Sequence, residues 1–143
     1  MVIAPFLLAL AAGAPPATVD GVGTEPNMGN THLSPISTIT IRNSGTTSPA
    51  SGEPADQCAD FKLSHHEIRA YIGKASQVTE HDFLHMLDWS PCHASGEITF
   101  HNGLTGTWTI QRYRAGSLKL SDGRTLYLYC PRCQAKAFPM TDE

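Results

Sequence analysis

Leu126-Tyr127-Leu128-Tyr129-Cys130-Pro131-Arg132-Cys133, close to the C-terminus, decides how the rest of the chain is read. Leu126 and Leu128 alternate with Tyr127 and Tyr129, the period-two pattern of a strand with one apolar and one more polar face. That strand runs straight into a Cys-x-x-Cys turn. Two further cysteines, Cys58 and Cys92, lie upstream, so residues 58–133 read as one small domain that gathers four sulfurs.

Working back from this strand, alternation continues. Asp122-Gly123 is a turn, preceded by the strand Ser117-Leu118-Lys119-Leu120, and Ala115-Gly116 reads as the turn before it. Another strand is predicted over about 104–114, with Trp108 and Ile110 on one face and Thr107, Thr109, Gln111 and Tyr113 on the other. Asn102-Gly103, a strong hairpin signal, joins it to a strand carrying Ile98 and Phe100. The product is a four-stranded antiparallel meander. Its inner face carries Ile98, Phe100, Trp108, Ile110, Leu118, Leu120, Leu126 and Leu128.

Two short helices precede the meander. Ser64 and Glu67 make a capping box, Leu63 and Ile68 the matching hydrophobic staple, and Ile68, Tyr71, Ile72 and Ala75 fall on one helical face. A second helix starts at Thr79 with Asp82 in its first turn and Phe83, Leu84, Met86 and Leu87 as its apolar face; Ser90-Pro91 ends it. Both helices are expected to cover the inner face of the sheet, which makes the fold class α+β.

Upstream, residues 15–57 are dominated by Ala, Pro, Gly, Ser, Thr and Asn. Too little apolar surface is available there to offset the entropy of ordering, so a disordered linker is expected, with Thr38-Ile39-Thr40-Ile41 a strand-like island inside it. Residues 1–14 have the apolar core and small-residue end of a signal peptide, with Ala12-Gly13-Ala14 or Ala9-Leu10-Ala11 as the cleavage pattern. This points to a periplasmic or secreted protein. A true start at Met28 would instead place it in the cytoplasm. The domain of interest is then 58–143.

A net charge of −3 and a longest basic cluster of only Arg112-Tyr113-Arg114 argue against nucleic acid as a partner. The apolar start is too short for a membrane span. An unknown protein or small ligand is the expected partner.

The four cysteines support three chemistries. In an exported domain of this size they form two disulfides. Four cysteines allow three pairings, and the placement of Cys58 before the first helix and Cys92 after the second suggests that each reaches one of Cys130 and Cys133. Alternatively Cys58, Cys92, Cys130 and Cys133 are zinc ligands, with His93 able to replace one of them. A redox dithiol at Cys130 and Cys133 would need a helix after the motif, and only ten residues follow Cys133. Otherwise no cofactor is expected.

His81, His85 and Asp88 share a helical face at i, i+4 and i+7, a spacing that suits a metal, although a solvated polar face is the simpler explanation. Tyr113, Tyr127 and Tyr129 project from the outer face of the meander as a contact surface, unless the linker or the tail Ala135-Lys136-Ala137-Phe138 folds over them. No catalytic residues are expected: Ser64, Ser90 and Ser95 lack a nucleophile elbow, and Gly21-Val22-Gly23 has no following helix to cradle a phosphate.

The segments Cys58-Ala59-Asp60-Phe61-Lys62-Leu63, His85-Met86-Leu87-Asp88-Trp89-Ser90-Pro91-Cys92, Gly106-Thr107-Trp108-Thr109-Ile110 and Leu126 to Cys133 together resemble small exported proteins of Gram-negative bacteria with a C-terminal domain of unknown function. The resemblance implies a bacterial, periplasmic setting and no particular chemistry.

Overall fold

A computed structural model describes residues 26–140. The signal-like start and the first part of the linker, residues 15–25, lie outside the described residues. Within them the fold is α+β, with a six-stranded antiparallel sheet and two α-helices. In chain order these are β1 (Ile36–Thr47), α1 (His65–Lys74), β2 (Ser76–Val78), α2 (Glu80–His85), β3 (Cys92–Phe100), β4 (Thr105–Gln111), β5 (Ala115–Leu120) and β6 (Thr125–Tyr129).

The meander β3-β4-β5-β6 forms as its alternation requires, and all eight inner-face side chains are buried. The sheet is wider than the expected four strands. β1 adds to the free edge of β3 and β2 to the free edge of β6, giving the order β1-β3-β4-β5-β6-β2. The expected linker is therefore ordered structure over 36–47. The strand-like island Thr38 to Ile41 is part of β1, where Ile39 pairs with Ile98 and is buried. Its stability comes from the edge it joins, which no local composition reports. At the other edge the backbone of Gly29 exchanges both hydrogen bonds with Gln77, at 2.9 and 2.8 Å, and covers β2.

α1 is built by its own sequence. The Ser64 hydroxyl accepts from the Glu67 N–H at 3.1 Å, and the Glu67 carboxylate accepts from the Ser64 N–H at 2.9 Å. Ile68, Tyr71 and Ile72 then meet the inner face of the sheet, with Phe61 and Leu63 before the helix and Phe138 from the tail. The second oxygen of Glu67 accepts from the Lys136 N–H at 3.0 Å, so one carboxylate joins the helix start to the tail. Burial alone would raise its pKa. The hydrogen bonds from Ser64 and Lys136, with His66 nearby, outweigh that and hold it below the ordinary 4.5.

A depressed carboxylate pKa contributes stability that is complete above the unfolded value and is lost as pH falls through the folded one. The Tm difference between the wild-type protein and Glu67→Gln is therefore expected to be largest near neutral pH, to narrow below 4.5 and to close in acid. A pH series of thermal melts on the two proteins checks this; a gap that stays constant into acid would mean that the charge of Glu67 plays no part.

One turn differs from expectation. Ala115-Gly116 belongs to β5, and the chain reverses one step earlier, at Arg112-Tyr113-Arg114. Arg114 occupies the left-handed region at φ 69°, a conformation that costs a non-glycine residue roughly 1–2 kcal/mol. Its buried hydrogen bonds compensate. The Arg114 carbonyl accepts from the Tyr71 hydroxyl at 2.8 Å and from the Cys130 N–H at 3.1 Å. Its guanidinium donates to the carbonyls of Cys133, at 2.9 Å, and Pro139, at 2.6 Å, and lies over the Phe138 ring. Gly116 is needed on the inner face instead, where a Cβ would stand 2.9 Å from the Tyr71 hydroxyl oxygen.

Candidate functional site

The four sulfurs do form two disulfides, but not between the upstream cysteines and the Cys-x-x-Cys turn. Cys58 pairs with Cys92, and Cys130 with Cys133. Cys58 is drawn to Cys92 because its N–H donates to the Thr47 hydroxyl at 3.1 Å, and Thr47 stands opposite Cys92 in the β1–β3 ladder. Cys130 and Cys133 close their own turn. With all four thiols consumed, no thiolate set is left for zinc in this form of the protein. All four residues are buried, and no helix follows Cys133 among the described residues.

The histidines do not converge either. His81 and His85 are exposed on α2 with ring centroids 4.8 Å apart, and His81 Nδ1 lies 3.5 Å from the Asp82 carboxylate. α2 stops at His85, so Asp88 lies beyond the helix and the i+7 relation is lost. His93 follows Cys92 along β3 and therefore faces the opposite side of the sheet. Among the described residues no three His, Cys, Asp or Glu side chains are placed to hold a metal ion.

The three tyrosines are dispersed. Tyr113 sits in the β4–β5 turn, exposed; Tyr129 borders a hollow of about 350 Å³ that includes Met28, Lys74 and Pro131. Tyr127 does face outward from β6, but Phe83 of α2 covers it, with ring centroids 4.9 Å apart. α2 thus lies over the outer face, not on the inner face beside α1. From the tail, Phe138 goes inward, 6.3 Å from both Phe61 and Tyr71.

This displacement of α2 creates the site. Thr79 caps the helix, its hydroxyl accepting from the Asp82 N–H at 3.1 Å, yet the helix has only six residues and none of them is buried. Half-buried Phe83 anchors it, while Leu84 and Met86 remain exposed. Between helix and sheet lies a groove of about 300 Å³. Phe83, Leu84 and Trp89 form its apolar wall, and His93, Thr109 and Ser117 its polar floor. Trp89 is 58% exposed, an unusual state for the largest apolar side chain.

The loop that carries Trp89 is fixed from below. The Ser90 N–H donates to the Gln111 side-chain oxygen at 2.7 Å, and the Ser90 hydroxyl accepts from the Cys92 N–H at 3.1 Å. The Ser90 hydroxyl thus helps to hold the loop in place. The His93 ring nitrogen Nδ1 lies 3.2 Å from the Pro91 carbonyl, a hydrogen bond in the tautomer that carries its proton on Nδ1.

Past the groove the outer face continues, uncovered by any other described residue. Two cross-strand rows are read from the register: Ser95-Thr109-Ser117-Tyr127 and Glu97-Thr107-Lys119-Thr125. The second row and its neighbours border an open depression of about 540 Å³. Hydroxyls therefore recur across the middle of the sheet at the strand spacing of about 4.8 Å.

No family model matches the chain, and neither a curated protein nor a solved structure does. Nor is any helix among the described residues long and apolar enough to cross a membrane.

Proposed function

We propose that this is an exported module of the bacterial cell envelope, periplasmic or secreted, that binds or supports another molecule and does not turn one over. The observation that carries the reading is the groove between α2 and the outer face of the sheet, with exposed Trp89 at its wall and a hydroxyl-rich floor. An indole kept in water by a loop pinned at Ser90 is a prepared contact, since rigid aromatic rings supply binding area at low entropic cost. The setting is supported by the two buried disulfides, which suit an oxidising compartment. The signal-like start and the resemblance to exported proteins of Gram-negative bacteria point the same way.

Intact mass of the protein recovered from its native host, denatured with a thiol-blocking reagent, tests the setting. A mature N-terminus after Ala11 or Ala14 and no blocked thiol is expected; a chain starting at Met1 or Met28 with four blocked thiols would overturn it. For the contact, Trp89→Ala is expected to change stability by less than about 0.5 kcal/mol, because the ring is mostly in solvent. A loss of several kcal/mol in urea titration would make Trp89 a structural residue and remove the basis for a binding role.

A further inference from the structure

We propose that the outer face, from the Trp89 groove along β4, binds a neutral glycan chain; the proposal rests on the reading of the protein as a binding module and names its ligand class. The groove and the open depression are neighbours along β4 and together make a track. Thr109 lines the first and Thr107 the second, and they are successive outward positions of β4. From Thr105 to Gln111 the track is roughly 20 Å long, enough for several linked sugar rings.

Chemistry selects among ligands. The track crosses the middle of the sheet, where backbone groups are spent in the ladders, so an extended peptide cannot add as a strand there. Peptides seated on side chains alone need deep apolar or arginine anchors, and this floor offers hydroxyls. Anionic polymers need clustered cations. The charged side chains bordering the depression are Glu97, which pairs with Arg42 at 2.7 Å, and Lys119. The face is close to neutral, and so is the ligand that complements it. A sugar ring matches both halves of the site. Its apolar C–H face stacks on the Trp89 indole, and its hydroxyls exchange hydrogen bonds with Thr107, Thr109, Ser117 and His93 Nε2.

The test is amide NMR of the full chain with a β-1,4-linked N-acetylglucosamine hexamer, cellohexaose and maltohexaose at millimolar concentration, and separately with a pool of random dodecapeptides. At least one glycan is expected to shift Thr107, Thr109 and Ser117. Trp89→Ala is expected to weaken that binding by about tenfold or more, and Trp89→Tyr to restore part of it. Glycan shifts located elsewhere, or unchanged in Trp89→Ala, would overturn the proposal. Shifts of the same residues by peptides alone would overturn the glycan class and leave the binding module standing. No shift of this face by any probe would overturn both.

Discussion

Gly96→Ala is expected to destabilise the protein by more than about 3 kcal/mol and to release β1 from the sheet. Gly96 is buried on the inner face of β3, paired with Ile41 of β1 and Trp108 of β4. A Cβ there would fall on the Thr40 carbonyl oxygen and stand 2.8 Å from Cζ2 of Trp108. The first obstacle is backbone, which cannot turn aside as a side chain tip can. The second is the largest fully buried side chain, held in place because its indole N–H donates to the Glu97 carbonyl at 3.1 Å. The cheaper way to relieve the clash is to move β1, an edge strand whose ladder already shifts register at three points. Urea titration should show the loss, and hydrogen exchange should show protection falling in β1 before β4 to β6. Gly73→Ala is the control. Gly73 is exposed in α1 with nothing within 4 Å of an added Cβ, so alanine there should stabilise by roughly 0.5–1 kcal/mol. Equal urea midpoints for wild type and Gly96→Ala would mean that β1 does not lie against β3.

The two glycines illustrate why parts of this fold are legible in the sequence and others are not. The meander writes itself in local signals: Asn102-Gly103 and Asp122-Gly123 take the tight turns with Gly103 at φ 88° and Gly123 at φ 93°, and the alternation between them sets the buried face. Gly116 looks the same in sequence but serves a different end, leaving room for Tyr71 while Arg114 takes the left-handed turn. β1 is hidden because its apolar positions are few and its burial comes from β3, some fifty residues away in the chain. Disulfide pairing is hidden for the same reason: Cys58 is aligned with Cys92 through Thr47 of that unseen strand. At the site, alternation correctly turned Tyr127, Thr109 and Lys119 outward. The side of the sheet taken by α2 was not legible, since one ring contact, Phe83 on Tyr127, decides it. Trp89 escaped as a contact residue because it lies in the loop after α2, where no period marks a side chain as inward or outward; the only signal was a large aromatic directly before the Ser90-Pro91 exit.

The same long-range dependence makes the two disulfides unequal. Replacing Cys58 and Cys92 together by alanine is expected to cost about 4 kcal/mol, and Cys130 and Cys133 together about 2 kcal/mol at most, because the bridges span 34 and 3 residues and the entropy removed from the unfolded chain grows with the loop closed. The longer loop contains α1, β2 and α2, and its bridge ties the segment before α1 to the first residue of β3. Little else does so beyond the Thr47 hydroxyl and the bond from the Ser48 N–H to the Pro91 carbonyl at 2.9 Å. Its two residues are also almost wholly buried, at 0% and 1% exposure, so truncation leaves a void in addition to the freed chain. The short bridge closes a turn already held by the Cys133 N–H on the Cys130 carbonyl and by the Arg114 guanidinium. In thermal melts the first double variant should lose roughly 15–25 °C in Tm and the second less than half as much. Equal losses would place the stabilisation in the packing of the sulfurs, and a larger loss for Cys130 and Cys133 would make the Arg114 turn, not the β1–β3 junction, the weak point of the fold.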